Sequence, residues 1–123
     1  MKQLALVAFG GMIGAGLRYL ISLWSKNLYE GDFPYATLLI NVLGCFFIGL
    51  MYSNFSQTNS FEWMKAFIIT GILGGFTTFS AFSYEGIILF QSQKIMAAMA
   101  YILLSNILGL LAAYGGTFIQ FSK

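Results

Sequence analysis

The sequence predicts an all-α integral membrane protein, one domain over residues 1–123 with four transmembrane helices. Three observations carry that prediction. Hydrophobic residues make up 59% of the chain and charged residues only 8%, whereas a soluble domain devotes about a quarter of its residues to charge. The mean hydropathy is +0.80. The apolar residues also gather into four runs, about 3–24, 35–52, 62–90 and 95–121, each near the ~20 residues that cross a ~30 Å hydrocarbon core as a helix.

The first run opens on Met1-Lys2-Gln3-Leu4-Ala5, which could pass for a secretory leader. Gly-rich sequence with Arg18 follows, then three more apolar runs, so it is read as a first membrane helix. Gly10 and Gly14 favour tight packing. Arg18 falls ~23 Å along the helix, near the far interface, where it either snorkels or draws anions. The connection 25–34 ends in Pro34, suited to a helix start. The second run carries Asn41 among Leu38, Leu39, Ile40, Val42 and Leu43, with Thr37 one turn earlier. The next connection, 53–60, ends in Ser60, an expected N-cap before Phe61-Glu62-Trp63. After Gln91-Ser92-Gln93-Lys94, the fourth run carries Tyr101, Ser105 and Asn106, with Gly109 and Ala113 continuing a small-residue row. Tyr19, Trp24, Tyr29, Tyr35, Tyr52 and Trp63 sit near run ends, where amphipathic rings prefer the interface.

The third run departs from a plain span. As a continuous helix its length would be ~43 Å, well beyond the hydrocarbon core. Its middle reads Thr70-Gly71-Ile72-Leu73-Gly74-Gly75-Phe76-Thr77-Thr78-Phe79-Ser80, and paired glycines followed by two threonines disfavour helix. An interruption there frees carbonyl oxygens, tolerated at membrane depth only when buried in protein or lining a wet cavity or ion site. Close helix packing alone explains Gly71 and Gly75. It leaves Gly74, Thr77 and Thr78 without a reason, so an interruption is expected. Phe76, Phe79 and Phe82 then recur every third residue along one face. Such a stripe is ordinary packing in a chain with 13 Phe, or a set of electropositive ring edges offered to an anion. Ser80, Ser83 and Glu85 lie nearby, and Glu85 is an acid within a span, a functional hypothesis by default.

Charge constrains both topology and function. The net charge of +2 forms no basic patch, so no nucleic-acid partner is expected. Four spans put Lys2, Lys65 and Lys123 on one side of the membrane, against Lys26 and Lys94 on the other, joined by Arg18 if it snorkels that way. That near balance leaves both a single orientation and a dual topology open, the latter giving an inverted homodimer. The chain has no His and no paired intramembrane carboxylates, so an enzyme is not expected. The single Cys45 reads as helix packing. Asn41, Thr37, Tyr101 and Ser105 together make a track of neutral donors able to replace water around a small anion. Taken singly, each is better read as an interhelical hydrogen bond or small-residue packing.

Three motifs then stand in order. They are Gly10-Gly11-x-x-Gly14-Ala15-x-x-Arg18-Tyr19, Thr37-Leu38-x-x-Asn41-x-x-Gly44, and Gly71-x-x-Gly74-Gly75-x-Thr77-Thr78-Phe79-Ser80-x-Phe82-Ser83-x-Glu85. With them the chain, over essentially its whole length, resembles the microbial fluoride channel family (Fluc, also called CrcB). The resemblance implies a passive, fluoride-selective channel exporting fluoride across the bacterial inner membrane, with two pores in an antiparallel homodimer. It implies a structural sodium ion at the dimer centre, held by backbone carbonyls of Gly74 and Thr77. It also implies Phe79 and Phe82 as ring edges facing fluoride, Asn41 as a nearby donor, Tyr101 and Ser105 as the polar track, and Ser83 on the same pathway. Thr37 and Glu85 would flank the route, with Arg18 in the vestibule. Ala81 and Gly109 depart from the family's usual hydroxyl residues. The rival is a small dual-topology, proton-coupled exporter of the multidrug type, which needs an intramembrane carboxylate on the first helix; none is there.

Overall fold

The computed structural model describes residues 1–55 and 62–121; Ser60, the expected cap, and Lys123 lie outside the described residues. Among those described, four helical spans are long and apolar enough to cross a membrane: Lys2–Leu28, Tyr35–Phe55, Glu62–Gln91 and Ile95–Thr117. The first two are single helices, α1 and α2. The third is composite. It runs through α3 (Glu62–Met64), a π-helical stretch (Lys65–Leu73), α4 (Gly74–Phe76) and α5 (Phe79–Gln91). The last span is α6 (Ile95–Thr117).

Three helix ends lie three or more residues from the ends of the apolar runs, those of α1, α2 and α6; α2 continues past Tyr52 to Phe55. α1 continues to Leu28 because Ser25, Lys26 and Asn27 can still form its last turn, and Lys26 suits a helix C-terminus. α6 stops at Thr117, just after Gly115-Gly116, a pair with weak hold on helical geometry. Its trailing residues are fastened by Asn54 of α2, whose Nδ2 donates to the Ile119 carbonyl (2.9 Å) and whose Oδ1 accepts from Phe121 N–H (2.6 Å).

Glycines set the packing in two parallel pairs. α1 lies along the π-helical stretch so closely that a Cβ on Gly14 would stand 2.0 Å from the Ile72 carbonyl oxygen, and one on Gly10 2.4 Å from that of Phe67. α2 lies along α6 in the same manner, with a Cβ on Gly49 meeting the Ala113 carbonyl oxygen at 2.0 Å and one on Gly116 meeting that of Phe46 at 2.2 Å. Apolar burial drives no association inside lipid, so backbone approach of this kind supplies the dispersion and dipolar contact that holds spans together. α2 then runs antiparallel to the third span, matching Thr37 with Glu85, Asn41 with Thr78 and Gly44 with Thr77.

Leu89, Ala98 and Tyr101 form a buried cluster with Phe33, Leu38 and Phe82 packed against it, and Ile40 is also fully buried. Met12, Leu17, Leu20, Leu110 and Leu111 are exposed, as a lipid-facing surface requires. At one end Asp32 and Lys94 pair across the two connections beside a Tyr29–Tyr35 edge-to-face contact.

Candidate functional site

Between α4 and α5 the backbone takes a two-residue extended step, with Thr77 at φ −75°, ψ 154° and Thr78 at φ −148°, ψ 113°. The step rearranges three polar groups. In a continuous helix the Thr78 N–H would bond to the Gly74 carbonyl; here it donates to Asn41 Oδ1 at 2.8 Å. The Ala81 N–H would bond to the Thr77 carbonyl, but donates to the Thr78 hydroxyl at 3.2 Å, an N-cap on α5. Asn41 Nδ2 completes the exchange by donating to the Thr78 carbonyl at 3.1 Å. The Gly74 and Thr77 carbonyls are thereby released from their helical donors.

Gly74 and Thr77 line a cavity of about 320 Å³. Its lining brings together Asn41, Gly74, Thr77, Phe79, Phe82 and Ser105 from three spans, along with Thr78, Cys45 and Asn106. The Phe79 and Phe82 rings lie 5.6 Å apart and tilted by 40°. Phe82 also leans on Tyr101, with ring centroids 5.3 Å apart. Phe76 does not join this face: it belongs to α4, before the extended step, and is buried. Ser105 Oγ is buried with no hydrogen-bond partner among the described residues. An orphaned hydroxyl in such a place costs about 1–3 kcal/mol unless something fills the space beside it.

A second cavity, about 500 Å³, collects Arg18, Thr37 and Glu85 with Ser22, Thr78, Ser80 and Tyr84. Glu85 is gripped from two sides, accepting from Thr37 Oγ1 on one carboxylate oxygen and from Tyr101 OH on the other, both at 2.8 Å. Thr37 and Tyr101 are themselves buried. The Thr78 and Ala81 region walls this cavity and Thr78 also walls the central one, so the two spaces meet at the extended step.

Ser83 stands apart from both, on a third cavity shared with Phe79, Phe82 and Asn106. Its hydroxyl is spent on the Phe79 carbonyl one turn back (3.0 Å). Sequence reasoning did not single out Thr78 as a cap or Ser80 as a wall. The signal for Thr78 was available, since a threonine three residues before a helical N–H is a capping pattern. Asn106, which lines the central cavity, bonds back to the Ile102 carbonyl at 2.7 Å.

With this geometry in hand, the chain can be set beside known proteins. Residues 5–117 match the family model described as CrcB-like protein, Camphor Resistance (CrcB). The chain belongs to the CrcB family. Its relatives are similar end to end. A protein of Flavobacterium psychrophilum is 45% identical over 120 residues, covering 97% of each chain. One from Agrobacterium fabrum is 41% identical over 117 residues, 94% of each. One from Shewanella sp. is 41% identical over 123 residues, 100% of this chain and 99% of the relative. All three of these CrcB relatives are named fluoride-specific ion channel FluC.

Proposed function

We propose that this chain is a passive, fluoride-selective ion channel of the bacterial inner membrane, exporting fluoride from the cytoplasm. One observation carries the reading: Ser105, whose hydroxyl is buried without a partner among the described residues, lines a cavity together with Asn41, Phe79 and Phe82, in a chain whose near full-length relatives bear a fluoride-channel name. Fluoride is small and strongly hydrated, so a route for it must replace water with donors at short range. Ser105 O–H has a proton to give, and Asn41 Nδ2 carries a second N–H beyond the one given to Thr78. The electropositive edges of Phe79 and Phe82 add attraction without a fixed cation that would trap the ion. Weak, multiple contacts of this kind allow binding and release alike.

The working unit is an antiparallel homodimer with two pores. Gly74 is exposed and Phe79 is 78% exposed at mid-span. Lipid suits the ring, but it cannot satisfy carbonyls that have lost their helical donors. A second copy covering this face can. The extended step at Thr77 and Thr78 supports reading the third helix as broken there, and the Gly74 and Thr77 carbonyls of two copies would hold a structural sodium ion. Hard, neutral carbonyl oxygens suit a hard monovalent cation, and the ion supplies charge that fixes the two copies together.

Thr37, Tyr101 and Glu85 flank the route, and Arg18 draws anions into the wider cavity. Ser83 takes part through its helix, since its proton is committed to the Phe79 carbonyl. The test is efflux from liposomes holding the purified protein, with fluoride and chloride at equal gradients. Rapid fluoride loss with negligible chloride loss supports the channel. Flux that follows an imposed proton gradient, and not the anion's own, would instead favour the proton-coupled exporter.

A further inference from the structure

A small cavity at the start of the third span has no part in the route described so far. It holds about 210 Å³ and is lined by Tyr52, Lys65, Ile69 and Thr70. Ile69 is also a wall of the central cavity, so one buried side chain separates the two spaces. Lys65 supplies the cation. Its side chain is only 26% exposed, and its ammonium lies 3.3 Å from Glu62, whose own side chain is 57% exposed. A lysine that merely anchors a helix end extends its ammonium to the headgroups. Trp63, two residues earlier and exposed, already offers that anchorage. Lys65 instead borders a recess that is mostly apolar, lined with it by Tyr52, Ile69 and Thr70.

The position is complementary to that of Arg18. The parallel packing of α1 on the third span, Gly10 against Phe67 and Gly14 against Ile72, brings Arg18 near the level of Thr78, with which it shares a cavity. Lys65 precedes Thr78 by thirteen residues, roughly 20 Å along a helix axis. Building on the fluoride-channel reading, we propose that Lys65 is the cationic access residue at the second mouth of the conducting route, the one remote from Arg18. Its charge concentrates fluoride in the recess before Ile69, and Glu62 trims that field so that the ion is not retained. Lys65 acts on the rate at which fluoride reaches the route and makes no contact at the central cavity.

Ionic strength tests this, because a charge that steers an anion is screened by salt and a packing role is not. Fluoride efflux is measured in liposomes at fluoride concentrations well below saturation. It is run at ~0.01 M and ~1 M of an impermeant-anion salt, where the screening length falls from ~30 Å to ~3 Å. For Lys65→Gln the expected result is a fall of roughly three- to tenfold at low salt that disappears at high salt. Lys65→Arg should restore the low-salt rate, and Glu62→Gln should raise it above wild type. Unchanged low-salt flux in Lys65→Gln, or a loss that persists at 1 M salt, overturns the proposal. Should Lys65→Gln fail to reconstitute, Glu62→Gln decides: no increase at low salt also overturns it. Wild-type liposomes that conduct no fluoride at either ionic strength refute the channel reading itself, an outcome distinct from conducting liposomes indifferent to Lys65.

Discussion

Replacing Asn41 by Leu removes the side chain that stands in for helix at the extended step. Two hydrogen bonds are lost, from Thr78 N–H to Oδ1 at 2.8 Å and from Nδ2 to the Thr78 carbonyl at 3.1 Å. Each is worth about 0.5–1.5 kcal/mol net in a protein interior, and interhelical bonds measured within membrane bundles average near ~0.6 kcal/mol. The pair alone therefore contributes ~1–3 kcal/mol. Thr78 is buried, so its N–H finds no water in place of Asn41, which moves the expected loss to the upper half of that range. A destabilisation of about 2 kcal/mol changes the folded-to-unfolded ratio roughly thirtyfold. Equilibrium unfolding in mixed micelles of mild detergent and dodecyl sulfate measures it. Asn41→Asp is the companion, since it keeps an acceptor for Thr78 N–H while setting a carboxylate against the Thr78 carbonyl. Stability of Asn41→Leu within ~0.5 kcal/mol of the parent would refute the idea that this amide holds the step.

Three further outcomes are expected. Gly14→Ala should cost ~1–3 kcal/mol in the same unfolding assay, because its Cβ would stand 2.0 Å from a backbone oxygen that cannot rotate away; Gly16→Ala, with nothing within 4 Å, should be neutral or slightly stabilising. Phe79→Ile and Phe82→Ile should each cut fluoride efflux at least tenfold with assembly intact by size-exclusion chromatography, and normal flux in both would remove the ring-edge role. Glu85→Gln should weaken stability by ~1–3 kcal/mol, since an amide cannot accept from Thr37 and Tyr101 on both of its atoms. Combined with Tyr101→Phe, the loss should be less than the sum of the two, and strict additivity would refute direct coupling.

The four spans were legible because a membrane allows so few solutions: length and composition alone nearly settle where helices cross. Gly10 and Gly14 were also readable, since small residues at four-residue spacing announce close approach. Which backbone they approach was not, because Phe67 and Ile72 carry no local mark of it. Gly49 and Gly116 escaped notice for the same reason. Asn41 shows the limit most clearly. Sequence reasoning valued its donor group, yet its main duty in the fold is to pair with a backbone 37 residues away, a relation that no periodicity encodes. The phenylalanine stripe erred in the other direction. A three-residue spacing places Phe76 with Phe79 only if the helix is regular between them, and the extended Thr77 and Thr78 break that regularity.

The dependence of Thr78 on Asn41 also bears on how the chain is made. Synthesis runs from the N-terminus, so α2 reaches the bilayer before the third span exists. Until Asn41 is beside it, the third span can satisfy Thr78 only as regular helix, with Thr78 N–H on the Gly74 carbonyl, because hydrocarbon offers no other partner. The extended step is therefore a feature of the packed pair of spans and not of the third span alone: the amide exchanges one set of backbone bonds for another, and the shape of the step belongs to two segments 37 residues apart.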